Sequence, residues 1–255
     1  MGYILCKVER ATIPYYIENI STNIYSIEEL CYYMYNNIYL LDETIINEAL
    51  CTWLRDELKL RRLAQRLYVL LEEQKTMGDF ILPIFKEINY LTFMEFKEMN
   101  GRLKIFEEQP EVSRLKMKGD YLYQHEKYIN AIRVYTETLE KVKDSGMGNQ
   151  FTGSVFNNMG CSYAKLFQME EAYECFEQAN QILHTKNSLQ SYLFAIYLNK
   201  GVDAYERAAE EEKVDEETKR DMDTQIRKSQ DVVIPSELDP MLDLWTKNYH
   251  RNTGL

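Results

Sequence analysis

The sequence predicts a mostly α-helical protein: a short solenoid of helix-turn-helix units preceded by a helical N-terminal module. Three observations carry this reading. Apolar residues recur at three- and four-residue steps through most of the 255 residues. Breakers are scarce, with 10 Gly and 5 Pro, too few for an all-β chain of many tight turns. A set of Gly, Ala and aromatic residues returns at fixed offsets in the middle of the chain, which is the mark of a repeat architecture. A hydrophobic content of 45% supplies a real core and excludes a disordered chain. The boundaries that follow are an N-terminal module at 1–110, an array at 111–231 and a C-terminal segment at 232–255.

Residues 1–25 differ from the rest. GYILCKV and ATIPYYIENI are rich in β-branched and aromatic residues and read as extended or β. Residues 26–110 read as helical. Ser26-x-x-Glu29 is a capping-box pattern, and Ile27, Leu30, Cys31, Met34, Ile38 and Leu41 continue as one stripe. Tyr32, Tyr33, Tyr35 and Tyr39 fill the other faces, so this helix needs cover on several sides, from residues 1–25 and 43–74 or from a second subunit. Further helices are expected at 43–57, 61–74, 79–89 and 92–108, with Pro83 in a first turn, where its missing N–H costs little.

The repeat is clearest from Phe156: Phe156-x-x-Met159-Gly160-x-x-Tyr163, then Ala172-x-x-x-Phe176-x-x-Ala179. An upstream copy runs Leu115, Gly119, Leu122, Ala131, Tyr135, departing at Lys118 and Thr138 where apolar and Ala are expected. Small residues at Gly119, Gly160, Ala131, Ala172 and Ala179 let paired helices approach, and the large rings fill the space around them. The pattern resembles the tetratricopeptide repeat (TPR), and the resemblance covers 112–183, extending loosely to 231. It implies a TPR-type solenoid with helices at 112–125, 128–142, 153–166 and 169–183. Gly119 and Gly160 are 41 apart, seven more than the usual 34, an excess that fits the linker KDSGMGNQ. Gly201 and Gly78 fall in the same register, Gly201 as a degenerate third repeat.

Ser188 to Glu212 reads as one long helix and 215–229 as another. Between Asp203 and Asp223 stand ten acids and four bases, a solvated capping face or an acidic docking surface. Asp239-Pro240 starts a short terminal helix through Leu244, Trp245 and Tyr249.

Composition then bounds function. A net charge of −11 is a poor match to nucleic acid, because phosphate contacts need clustered Lys and Arg. No run of about 18 apolar residues is present to span a bilayer, and the N-terminus lacks the features of a signal peptide. A cytoplasmic location is expected. Cys6, Cys31, Cys51, Cys161 and Cys175 contain no CxxC spacing, and His125, His184 and His250 are scattered, so free thiols and no metal site are expected. No phosphate-binding, nucleophile-elbow or zinc-protease motif occurs, so no catalytic residue and no cofactor are assigned.

By resemblance, the concave face of a TPR array binds an extended segment of a protein or peptide partner. Positions matching that face include Lys116, Asp120, Tyr123, Asn157 and Lys165, with Asn158 beside them. The expected activity is non-catalytic protein–protein or protein–peptide interaction. Three other readings accompany it. A carboxylate clamp of the chaperone-binding subclass would use Lys116 and Asn158, but Asp120 stands where an Asn is wanted. A peptide-responsive regulator of the Gram-positive sensor type would use Asn158 and Asn199 at equivalent positions. An uncharacterised enzyme would build its site from distant residues. A homodimer through the Tyr-rich N-terminal module is a further partner expectation.

Overall fold

The structure is a computed structural model that describes residues 8–230 and 238–253. Residues 1–7 (and with them Cys6), the 231 boundary and the start of the 232–255 segment lie outside the described residues. The chain is mostly helical and forms two compact units, divided between Arg114 and Leu115.

In the first unit, β1 (Tyr15–Ile17) pairs antiparallel with β2 (Thr22–Ile24), with Tyr15 opposite Ile24. The extended arm before β1 is tied to α2 (Glu48–Asp56). Trp53 donates its indole N–H to the Ile13 carbonyl at 2.8 Å, and a Glu57 carboxylate oxygen accepts the N–H groups of Thr12 and Ile13 at 3.0 and 2.9 Å. Asn19, in the turn between the strands, is buried and donates to the Leu40 carbonyl and to Thr44 Oγ1.

The Tyr-rich helix α1 (Ile27–Asn36) opens on the expected capping box of Ser26 and Glu29 but ends five residues before Leu41. Asn36 and Asn37 donate their amides to the carbonyls of Tyr32 and Tyr33, both at 2.8 Å, and these side-chain bonds compete with the next helical turn. A short 3₁₀ turn then buries Ile38 and Leu40. Helix α2 starts at Glu48 rather than 43, because Asn47 caps it by accepting the Leu50 N–H at 2.9 Å. Helices α3 (Arg61–Glu72), α4 (Met77–Glu87) and α5 (Phe93–Glu107) follow. Thr76 caps α4 through the Asp79 N–H, so the helix begins two residues early and Pro83 sits in its interior, not its first turn. Cover for α1 comes partly from α4: the Cys31 thiol lies 3.9 Å from the Ile84 carbonyl oxygen. Tyr33 is buried and Tyr35 half-buried, whereas Tyr32 stays 64% exposed.

The second unit is an array of consecutive antiparallel helices: α6 (Glu111–Gln124), which opens just ahead of it, α7 (Tyr128–Val142), α8 (Asn149–Lys165), α9 (Met169–Leu183), α10 (Lys186–Lys200), α11 (Val202–Glu211) and α12 (Glu216–Gln230). The pairing runs antiparallel because early residues of one helix meet late residues of the next. Gly160 lies against Phe176 and Gly153 against Leu183. Asn180 meets Ser188, and Tyr173 stacks on Tyr192.

Helices α7 and α9 are equally long and 41 residues apart at both ends, Tyr128 to Met169 and Val142 to Leu183. Gly119 and Gly160 lie at the crossings. A Cβ on Gly119 would meet the Tyr135 ring at 2.5 Å, and one on Gly160 would meet Phe176 at 3.0 Å. Ala131, Ala172 and Ala179 are buried with these rings, while Phe156 and Tyr163 are half-buried. Thr138 satisfies its buried hydroxyl by donating to the Val134 carbonyl at 2.7 Å.

Most turns between helices close without glycine. Gln74, Asn89, Glu126, Phe167 and Lys213 take φ values of 48 to 59°. Each is followed by an N–H that reaches back five residues to a helix carbonyl, as Lys127 does to Leu122 and Gln168 to Tyr163. Gly201 behaves differently. At φ +84° it parts α10 from α11, so the expected single helix from 188 to 212 is two helices, and Gly201 stands in a joint rather than at a crossing. Gly78 lies in the first turn of α4, where an added Cβ meets nothing closer than 3.7 Å. The terminal helix α13 (Leu238–Thr253) is 16 residues, longer than the short helix expected.

Candidate functional site

Most of the expected binding residues converge where α6, α7 and α8 meet, and Asp120 is their hub. Its position follows from the Gly119 crossing, which puts α6 within reach of the Tyr135 hydroxyl on α7. Asp120 Oδ1 accepts from Tyr135 Oη at 2.8 Å and from Asn158 Nδ2 at 2.8 Å. Asp120 Oδ2 pairs with Lys116 Nζ at 2.7 Å, one helical turn earlier. The Lys116 and Asp120 side chains retain only 20% and 32% of their exposure, so this pair is better shielded than a surface ion pair. Asn157 Nδ2 lies 3.4 Å from Asn158 Oδ1 and extends the line along α8.

This network changes the roles expected of these side chains. Asp120 is a neutralised tie between three helices, not a charge facing a ligand. Lys116 is engaged by Asp120, which removes the free ammonium a carboxylate clamp needs. Asn158 donates to Asp120, and Asn199 donates to Glu170 Oε2 at 2.7 Å. Both amides of the expected asparagine pair are therefore engaged within the chain.

Tyr123, Asn157 and Lys165 are the remaining residues expected on the contact face. Tyr123 is half-buried, with its ring 5.6 Å from that of Tyr128. Burial raises its phenol above the ordinary tyrosine range, with a smaller contribution from the nearby Cys161. Lys165 ends α8 and is exposed. Cys161 lies between these residues and is half-buried. Burial raises its thiol, and Lys165 only partly offsets this, so it is a poor source of thiolate at neutral pH. From Cys161 the surface continues to Ala164, Tyr192 and Tyr173, which pack with Ala172, Phe176 and Ala195. Lys200 Nζ lies 3.6 Å from the Tyr173 ring centre, a cation–π contact.

Tyr135 was expected as packing alone and is also a hydrogen-bonding member of the site. It is fully buried, and burial followed by the neighbouring Asp120 charge holds its phenol far above the ordinary range. The signal was present in the sequence: the first repeat carries Asp120 and Tyr135 where the second carries Cys161 and Phe176. The Tyr192–Tyr173 surface was missed because the third helix pair does not share the register of the first two.

Among the described residues, no three or more His, Cys, Asp or Glu side chains group as a metal site. Cys31, Cys51, Cys161 and Cys175 are free thiols. No helix among the described residues is long and apolar enough to cross a membrane. Compared with models of protein families, with curated proteins and with solved structures, the chain matches none.

Proposed function

We propose that residues 111–183 are two TPR-type repeats of a short solenoid, and that their α6/α8 side binds an extended segment of another protein without catalysis. The observation that carries this is the Asp120 network. It fixes three helices relative to one another and leaves Tyr123, Asn157 and Lys165 arrayed along a rigid edge. The repeat reading is supported by the two glycine crossings and by the equal, 41-offset bounds of α7 and α9. The available chemistry is a phenol ring as apolar anchor, an amide for a backbone group and one ammonium for an acidic side chain, which suits a neutral or mildly acidic segment.

Co-purification of the native protein followed by mass spectrometry identifies the partner. Tyr123→Ala and Lys165→Glu should then each weaken binding by about 1–2 kcal/mol, with the melting temperature unchanged for Lys165→Glu and lowered only modestly for Tyr123→Ala, which also loses the Tyr128 ring contact. Asn158→Ala should instead lower the melting temperature, because it removes a donor from Asp120. Binding that survives both Tyr123→Ala and Lys165→Glu would place the contact elsewhere on the chain.

A further inference from the structure

Two surfaces of the second unit lie open: a groove with an apolar lip, whose lining also includes Glu206, Asp223 and Arg227, and an apolar helix stripe. The first is a groove of about 690 Å³ at the α10/α11 joint. Its floor includes the buried Tyr205 and Ile226, and its lip is formed by Leu198 and Val202, 58% and 53% exposed. Gly201 creates it by turning the chain within one residue, which leaves the last turn of α10 beside the first turn of α11.

The second surface is on α13. Leu238, Leu242 and Trp245 follow one another at steps of four and three, so at helical geometry they share an arc of about 60°. They are 40%, 46% and 49% exposed, and Tyr249 continues the same line. Helix α13 is held near its other end: Arg251 pairs with Glu126 at 2.9 Å, and the Arg251 carbonyl accepts from Lys127 Nζ at 3.1 Å, beside α7. Helices α8 and α9 stand between α7 and α10 in the packing order. A helix docked in this way presents its stripe outward and does not occupy the groove of its own chain.

We infer that two copies of the chain exchange these surfaces in a two-fold dimer, α13 of each lying in the α10/α11 groove of the other. The area argument selects the reciprocal arrangement. With about 200 Å² for a fully exposed large side chain, the half-exposed residues of one stripe and one lip offer roughly 600 Å² per contact. One such contact falls short of a specific interface, whereas two reach roughly 1,200 Å², the lower end of the range for stable association. An isologous pair also closes on itself and leaves neither surface free to propagate into a fibre. The dimer is therefore weak and reversible, and lies wholly within the second unit.

Sedimentation velocity of the full chain from low to high micromolar concentration tests this, read alongside tryptophan emission. Trp53 is already buried within its own chain, so a blue shift that grows with concentration reports Trp245 entering the groove. Val202→Asp alters the lip at the first turn of α11, where a carboxylate suits the helix end, and Leu242→Asp alters the stripe. Each should weaken dimerisation by about tenfold or more, with circular dichroism unchanged. Val202→Ser and Leu242→Ala serve if either Asp variant fails to fold. Three results overturn the inference. The wild type stays monomeric throughout; or it dimerises and all the variants do so equally well, which puts the interface on another surface; or Trp245 emission is already shifted with no change in mass, which seats α13 in its own chain.

Discussion

The hairpins α6/α7 and α8/α9 share their turn and their glycine crossing, yet they close the crossing with different chemistry. In the first, Gly119 admits the Tyr135 ring, and the phenol needs Asp120 to accept its hydroxyl. In the second, Gly160 admits Phe176, and Cys161 takes the place of the carboxylate. A hydroxyl and its acceptor are present together in one hairpin and absent together in the other. This is what the cost of a buried unpaired polar group requires. The comparison separates what builds a hairpin, which both keep, from the tie made at the crossing itself, which only the first supplies; the second meets its neighbour away from the crossing, through Asn180–Ser188 and Asn199–Glu170.

The largest effect should come from the crossings. Gly119→Ala puts a methyl into a ring held by packing and by its hydroxyl bond, and should cost about 2–3 kcal/mol. Gly160→Ala meets Phe176 and Cys175 at 3.0 to 3.1 Å, and the helix propensity of Ala offsets part of that crowding, so it should cost about 1 kcal/mol or less. Gly160→Leu overfills the same space and should cost about 2–3 kcal/mol. Thermal melts of the three variants decide, and equal losses for the two Ala variants would break the comparison.

The hydroxyl pair comes next. Tyr135→Phe should destabilise by about 1–2 kcal/mol, since Asp120 loses one of its three donors. Asp120→Cys combined with Tyr135→Phe, which copies the second hairpin into the first, should cost less than the sum of the two single changes in a double-mutant cycle. Additive losses would mean the two residues act independently.

A pH titration sharpens the contrast. Burial pushes the Cys175 thiol of α9 up to about 12, with smaller contributions from Glu174 and Glu171. Tyr135 is raised further, by burial first and then by Asp120. Both groups hold their proton longer in the folded chain than in the unfolded one. Their contribution is therefore complete at neutral pH and lost as pH rises, beginning near the ordinary thiol value of about 9 for Cys175 and the ordinary phenol value of about 10 for Tyr135. The melting temperature should fall above about pH 9. Cys175→Ala should make the decline shallower without moving its onset, because burial also raises the Cys31 and Cys51 thiols, and Tyr135→Phe should flatten the decline above about pH 10.

The smallest effects lie in the turns. Glu126 and Phe167 both have φ of 59°, and Phe167 is 84% exposed, so its ring contributes little packing. Phe167→Gly should stabilise by up to about 1 kcal/mol by relieving the left-handed backbone. Glu126→Gly should gain less, because it also removes the Arg251 pair.

Helices α7 and α9 were legible to the residue, because a three- and four-residue apolar rhythm is bounded on both sides by polar turns. The break at Gly201 was not. Apolar residues run through Leu198, Val202 and Tyr205 at steps of four and three, and a glycine inside a helical pattern does not reveal the sign of its φ. The early stop of α1 was hidden for another reason. Asn36 and Asn37 are ordinary helix residues until their amides turn back onto Tyr32 and Tyr33. At the site, the residue types were readable and their partners were not. Spacing places Lys116, Asp120 and Asn158 on a ligand-facing side without showing which side chains satisfy one another across helices.

The Asp120 tie also bears on how the molecule opens. An array whose neighbours touched only through apolar surface would fray one helix pair at a time from its ends. Here a carboxylate of α6 holds a hydroxyl of α7 and an amide of α8, so releasing α6 strands polar groups of both other helices, and releasing α7 or α8 takes a donor from Asp120. Amide protons of α6, α7 and α8 should thus exchange with solvent at a common, slow rate, as a single cooperative block. Those of α11 and α12, beyond the Gly201 joint, should exchange earlier and by themselves.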